Sequence, residues 1–143
     1  MAREAMQLRT EEGMHSRHIL LLAGLMLVSC QPPAPLQLTR DDLGKHIDLR
    51  LGQEIELRLA ANPTTGYRWQ VVHAAPAVLD TLAGETFSPA SAAPGVAGGG
   101  GTVTWRFRAT RVGRDNLQLV YRRPWESGAI PAQTFVCEVA VNP

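Results

Sequence analysis

Two histidines, His46 and His73, are the side chains after residue 30 best suited to proton transfer at neutral pH. Neither has a serine, cysteine or carboxylate at a spacing that suggests a catalytic triad. The carboxylates alternate with apolar residues and form no pair on a loop of the kind a glycosidase uses. We therefore interpret both histidines as surface residues and expect that the protein is not an enzyme.

Cofactor sites are also not expected. The glycine run at residues 98–101 resembles part of a phosphate-binding loop, but it lacks the Lys-Ser/Thr pair and a strand pattern follows it in place of a helix. Two cysteines cannot make a tetrahedral structural metal site unaided, and the whole chain has only four histidines. We expect no metal and no other cofactor.

The unusual residues fall in three predicted loops, where a rigid scaffold displays binding groups. Residues 62–66 read Asn-Pro-Thr-Thr-Gly, residues 95–101 are glycine-rich, and residues 122–126 read Arg-Arg-Pro-Trp-Glu. Taken singly, these are consistent with a plain turn, a flexible linker and a loop whose tryptophan packs back on the core. Taken together, they are typical of a protein-binding surface, because proline and glycine pre-shape a loop and Trp beside Arg is common in interfaces.

The elements that position these loops are short strands. From residue 36 onward the apolar residues recur with period two, in bursts separated by Gly, Pro and Asn. The seven predicted strands are residues 46–51, 54–60, 67–73, 78–82, 102–110, 115–122 and 134–141. This pattern predicts an all-β, immunoglobulin-like sandwich of about seven strands, in which the loops after the second, fourth and sixth strands emerge at one end.

Composition is consistent with one soluble globular domain, at 45% hydrophobic and 19% charged residues. A formal net charge of +1 provides no basic surface for nucleic acid, which we exclude as a partner. Cys137 falls on the apolar face of the last strand, and we interpret it as an inert core thiol. We expect a monomer.

The N-terminal 29 residues are predicted to be a signal peptide. Residues 19–28 are apolar, too few to span a bilayer, and a basic lead from Met14 suggests that translation starts there. Leu-Val-Ser-Cys at residues 27–30 resembles a bacterial lipobox, which implies lipidation at Cys30. Residues 30–35 then form a Pro-rich tether and residues 36–143 the domain. The expected location is the bacterial cell envelope, lipid-anchored, with the outer membrane favoured by Gln31; the alternative is a buried helix and an ordinary cysteine.

Three motifs in this order resemble the chagasin family, inhibitors of papain-like cysteine proteases found in protozoa and bacteria. The similarity covers about residues 36–141 and includes Asp-Leu-Gly-Lys at 42–45 and Gly-Gln at 52–53. The second motif is a glycine run leading into Thr-Val-Thr-Trp-Arg-Phe at 102–107. The motif residues are Asn62, Pro63, Thr64, Thr65, Gly66 and Tyr67 in the first, Gly98, Gly99, Gly100 and Gly101 in the second, and Arg123, Pro124 and Trp125 in the third.

The resemblance implies a reversible, non-covalent inhibitor that plugs the protease cleft with three loops. The 62–66 loop would be the middle wedge, with Thr64 and Thr65 over the catalytic pair. The glycine-rich loop would lie on the non-primed side and Trp125 on the primed side, with Arg123 hydrogen-bonding nearby. Two other readings stay open: an envelope lipoprotein that uses the same loops to bind or scaffold another partner, and a hydrolase.

Overall fold

Alternating apolar residues form eight strands arranged as two facing sheets. The structure, a computed structural model, describes residues 33–90, 99–126 and 128–143. Single turns of 3-10 helix at Arg40–Asp42 and Pro63–Thr65 complete the regular elements of these ranges. The strands are β1 (Leu36–Leu38), β2 (His46–Arg50), β3 (Glu54–Ala61), β4 (Arg68–Ala74), β5 (Leu79–Pro89), β6 (Gly101–Ala109), β7 (Gly113–Arg122) and β8 (Gln133–Asn142).

The two sheets have four strands each. One has the order β1-β3-β6-β5 and the other β2-β8-β7-β4. The β1–β3 and β2–β8 pairs are parallel, and the other pairs are antiparallel. The predicted all-β, immunoglobulin-like sandwich is confirmed, with one strand more than the seven expected. The extra strand, β1, has three residues and buries only Leu38, so it carries no readable alternation.

Strand β5 is longer than the five residues predicted at 78–82. It continues to Pro89 along the edge of its sheet, and beyond Leu79 its residues are exposed. Register shifts between Thr81 and Thr86 interrupt its pairing with β6. An edge strand with irregular pairing buries no continuous face, so its sequence has no period-two pattern to detect.

The core lies between the inner faces of the two sheets. Its members alternate along the strands as predicted, with Leu57 opposite Trp105 in one sheet and Leu117 opposite Cys137 in the other. All four side chains are at most 3% exposed. Burial raises the pKa of the Cys137 thiol to about 11, so at neutral pH it is a protonated core group, as the sequence predicted.

The connections separate into two ends of the sandwich. Those at 62–67, 90–100 and 123–132 leave from one end, called here the loop end, where Ala61, Gly101 and Pro89 are register partners. Those at 51–53, 75–78 and 110–112 form the turn end opposite. No helix within the described residues has the length and hydropathy needed to cross a bilayer.

Candidate binding edge at the loop end

The 62–66 loop, called here the wedge loop, is fixed by its own side chains. Pro63 begins a single 3-10 turn, where its restricted φ suits the helical geometry. The Asn62 side chain caps this turn: its Oδ1 accepts from the Thr64 backbone N–H at 3.2 Å and from the Thr64 hydroxyl at 2.6 Å. Gly66 closes the turn with φ of 80°, a conformation that favours glycine. The loop is thus shaped before any partner binds.

Two carbonyl groups of the wedge loop, those of Asn62 and Pro63, are already hydrogen-bonded within the loop. The Asn62 carbonyl accepts from the Thr65 backbone N–H at 3.2 Å and from its hydroxyl at 2.7 Å. The Pro63 carbonyl accepts from the Gly66 N–H at 3.1 Å. The side chains of Thr64 and Thr65 remain exposed. The loop therefore presents two threonines on a tightly turned backbone that differs from an extended peptide.

An aromatic cluster anchors the root of the wedge loop. The Asn62 backbone N–H donates to the Tyr121 hydroxyl at 3.0 Å. The Tyr121 ring stacks on Tyr67 at 5.4 Å between centroids and lies 5.1 Å from Trp69. The Trp69 indole N–H in turn donates to the Ala60 carbonyl at 3.0 Å. Because these aromatics are part of the core, the position of the wedge loop is tied to the packing of the sandwich.

Arg123 joins the wedge loop to the loop that carries Trp125. Its guanidinium lies over the Tyr67 ring, 4.7 Å from the centroid, and its Nε donates to the Thr65 carbonyl at 3.4 Å. Its Nη1 donates to Glu126 Oε1 at 3.0 Å, and this bond raises the pKa of Arg123 above its ordinary value. The polar contacts of Arg123 are thus within its own chain. They form a brace between the wedge loop and the loop that carries Trp125.

Trp125 is exposed at the loop end and rests on the wedge loop. It is 67% exposed, so it does not pack back on the core. A Cβ built on Gly66 would lie 2.5 Å from the indole Cη2, which shows that the absence of a side chain at Gly66 makes room for the ring. Pro124 precedes it and is also exposed. The wedge loop and Trp125 therefore form one contiguous surface.

The glycine-rich motif is only partly described, because Gly98 lies outside the described residues. Gly99 faces open space. A Cβ on Gly100 would lie 3.1 Å from the Ala61 carbonyl oxygen, and one on Gly101 would lie 2.3 Å from the Ser88 carbonyl oxygen. Glycine at 101 is thus required by packing within the protein, the contact at Gly100 is tight, and Gly99 is open to a partner.

An open hollow of about 520 Å³ separates the wedge loop from the glycine-rich strand start. Residues of both sheets line it at the mouth of the sandwich: Ala60, Ala61, Asn62, Thr65, Gly100, Gly101, Tyr121 and Gln133. The three motifs are therefore neighbours at one edge, as the predicted topology required.

Sequence reasoning missed three contributors to this edge. Tyr121 falls in the predicted strand at 115–122, and the hydrogen bond that its hydroxyl accepts from the wedge loop has no sequence signal. Phe87 covers Gly101, but it lies in the part of β5 that lacks alternation. Glu126 ends the Arg-Arg-Pro-Trp-Glu loop, and its spacing of three residues from Arg123 is the sequence signal for the ion pair.

The two histidines lie away from the loop end and are exposed. His46 is 3.3 Å from Asp48 and 3.4 Å from Glu138, and His73 is 2.9 Å from Asp115. Across residues 33–90, 99–126 and 128–143, no three His, Cys, Asp or Glu side chains cluster in a way that could hold a metal ion. The exposure of His46 and His73 matches the surface role that the sequence predicts for both residues.

A rigid sandwich with a pre-shaped loop and an exposed tryptophan at one edge defines a protein-binding module. The sequence profile of the chagasin family of peptidase inhibitors, I42, matches residues 48–139, and the chain belongs to this family. Amoebiasin-1 of Entamoeba histolytica is 35% identical over 107 residues, which are 75% of this chain and 100% of that protein.

Solved structures of similar fold include a cysteine protease inhibitor and a protein in complex with falcipain-2. The cysteine protease inhibitor EhICP2 from Entamoeba histolytica has a TM-score of 0.69 and 23% identity, covering 78% of this chain and 100% of that one. PbICP-C in complex with falcipain-2 has a TM-score of 0.50 and 16% identity, covering 78% and 95%. At these identities the likeness concerns the fold. The prediction of a chagasin-family cysteine protease inhibitor that is not an enzyme is confirmed.

Proposed function

We propose that this protein inhibits papain-like cysteine proteases reversibly and without a covalent bond, by occupying the active-site cleft with the loop end. The observation that carries the proposal is the braced wedge loop: its turn is capped by Asn62, its root is held by Tyr121, and its flank is held by Arg123. A loop ordered before binding loses little conformational entropy on docking. Family membership and the complex of PbICP-C with falcipain-2 support the target class.

The turned backbone explains how the wedge loop would resist cleavage. A protease attacks a peptide carbonyl that it holds in an extended backbone at the catalytic centre. In the wedge loop the carbonyls of Asn62 and Pro63 point into the turn and accept internal hydrogen bonds. Thr64 and Thr65 would cover the catalytic thiolate while offering it no aligned carbonyl.

Two flanking contacts would complete the interface. Trp125 would be the aromatic anchor on the primed side, because a large exposed ring that becomes buried contributes strongly to affinity. The glycine-rich motif, Gly98 to Gly101, would lie along the non-primed side, with Gly99 the described residue open to close approach. Such an edge is consistent with an interface of about 800 Å² per partner.

The experiment is titration of papain and a cathepsin with residues 31–143, which include the compact unit Pro32–Pro143, using a fluorogenic peptide substrate. We expect stoichiometric, reversible inhibition. Trp125→Ala should raise the inhibition constant about 30-fold, or about 2 kcal/mol. Val112→Ala, an exposed apolar change at the turn end, is the matched control and should have no effect. A folded domain that leaves several papain-like proteases active would contradict the proposal and favour a scaffold role.

We infer that the protein acts while anchored to the bacterial envelope through Cys30, which lies outside the described residues. The lipobox-like sequence supports this localisation. Pro33 and Pro35 lie beside Gly52 at the turn end, so attachment through the N-terminus would leave the loop end unobstructed. Palmitate labelling and membrane fractionation should show an anchored chain, and Cys30→Ala should release it. Equal membrane association of this variant would exclude the anchor.

A further inference from the structure

Two arginines at the loop end differ from most arginines in the described chain. Arg68 and Arg122 have no carboxylate within 4.0 Å among the described residues. Six of the other eight arginines of these ranges are within that distance of an Asp or Glu, namely Arg58, Arg106, Arg108, Arg111, Arg114 and Arg123, whereas Arg40 and Arg50 are not. The charge of Arg68 and Arg122 is therefore not matched within the sandwich.

The two side chains lie side by side. Arg68 begins β4 and is the register partner of Arg122, at the end of β7. Their neighbours Trp69 and Tyr121 face the core, so both arginines face outward on the same side of the sheet. Arg122 Nε donates to Gln70 Oε1 at 2.7 Å, which holds its guanidinium at this surface. Like charges directly opposite one another across two strands repel, so the interaction between the two arginines does not stabilise the sheet.

The arginine pair adjoins the binding edge. Among the described residues of 62–70, 86–90, 99–104 and 120–134, the charged side chains are Arg68, Arg122, Arg123 and Glu126. Glu126 is bonded to Arg123, which leaves Arg68 and Arg122 as the charged side chains of these ranges without a carboxylate partner. Arg122 directly precedes the Arg-Pro-Trp motif. A partner whose cleft receives Trp125 would thus bring its adjacent rim towards Arg68 and Arg122.

We propose that Arg68 and Arg122 select proteases that carry carboxylates on the cleft rim next to the Trp125 contact. This inference rests on the proposed function and adds the chemistry of the target. Complementary charge at an interface rim accelerates association and disfavours partners of like charge, and salt screens both effects. The arginine pair is therefore a specificity determinant that acts on the rate of association.

The test measures association rates by the onset of inhibition, with two papain-like proteases whose cleft rims have opposite net charge. The inhibitors are the wild-type chain, the Arg68→Gln/Arg122→Gln variant, and Arg50→Gln. Arg50 is an exposed arginine at the turn end with no carboxylate partner in the described residues, which makes it a matched control. Melting temperatures establish that all three are folded.

With the acidic-rim protease at low salt, the double variant should associate about 5- to 10-fold more slowly than wild type. The difference should shrink at high salt, where the Debye length is about 3 Å. With the basic-rim protease, the variant should associate faster. Arg50→Gln should match wild type in each case.

A double variant that associates at the wild-type rate with the acidic-rim protease at low salt would overturn the inference, as would an equal loss in Arg50→Gln. Both results presuppose inhibition by the wild-type chain, so the proposed function would stand. If the folded wild-type chain inhibits neither protease, the proposed function fails and this inference fails with it.

Discussion

The turn end and the loop end use their polar groups in opposite ways. At the turn end, Asp115 accepts from the Ala77 backbone N–H at 3.0 Å and from the Asn116 N–H at 2.8 Å, besides its contact with His73. Arg111 donates to the Pro76 carbonyl and to Asp80, both at 2.8 Å. These groups tie the turns to one another.

The loop end bonds its backbone internally and leaves several side chains exposed to a partner. Thr64, Thr65 and Trp125 are exposed, and Arg68 has no carboxylate among the described residues. The difference teaches that the turn-end side chains serve stability alone, whereas the loop end combines internal packing with groups exposed for binding. Substitutions of turn-end side chains should therefore change stability and not inhibition, whereas substitutions of exposed loop-end groups should change inhibition. Four experiments test this comparison, from the largest expected effect to the smallest.

A charge on the wedge loop should cause the largest loss of inhibition. Thr64→Asp would place a carboxylate against the protease thiolate, without solvent and without a partner, and we expect the inhibition constant to rise about 100-fold or more. Enzyme titration measures it. The matched control is Val112→Asp, a charge introduced at an exposed turn-end residue, which should leave inhibition unchanged. Equal losses in both would mean that the ends are not separated.

A methyl group at Gly101 should cost stability, while one at Gly99 should not. The Cβ of Gly101→Ala would meet the Ser88 carbonyl at 2.3 Å and Phe87 at 2.6 Å, so the strands must shift. We expect about 1–3 kcal/mol lower free energy of unfolding, measured by denaturant titration. Gly99→Ala, facing open space, is the control. Equal stability of the two variants would show that Gly101 is not constrained by packing.

Removing Asp115 should lower stability without affecting inhibition. Partial burial alone would raise the pKa of Asp115, but hydrogen bonds from Ala77, His73 and Asn116 outweigh it and lower the pKa below its ordinary 3.8. Asp115→Asn should cost about 1–2 kcal/mol at pH 7.

The stability that the Asp115 carboxylate contributes depends on pH, because the pKa of Asp115 is lowered in the folded state. The stabilisation by the carboxylate is present above about pH 4 and is lost as pH falls through the pKa of the folded state. The stability difference between wild type and Asp115→Asn should therefore shrink below pH 4. A change in the inhibition constant of this variant would contradict the separation of the two ends.

Loss of the Arg123 brace should weaken inhibition about fivefold, or about 1 kcal/mol, because the wedge loop and Trp125 loop would no longer be held together before binding. Arg123→Ala tests this by titration, and Glu126→Gln, which removes only the ion pair, should have a smaller effect. Amide exchange of the wedge loop should increase in Arg123→Ala. If exchange is unchanged while inhibition falls, Arg123 contacts the protease directly.

Most of the fold could be predicted because core residues alternate locally. Seven of the eight strands have a period-two pattern or a short apolar burst, and β1 and the outer part of β5 were missed because they bury little. The site motifs were also local: Pro63 and Gly66 define a turn from their own backbone restrictions. Their assembly at one end followed from strand order.

The sequence alone determined the strands, the turned shape of the wedge loop and the order of the motifs, because neighbouring residues govern backbone preference and alternation. The tertiary structure decided which groups are free to bind. Arg123 is turned inward by Thr65 and Tyr67, and Gly101 is constrained by Phe87 and Ser88. Such contacts join residues far apart in the chain, and their geometry exists only once the two sheets have packed.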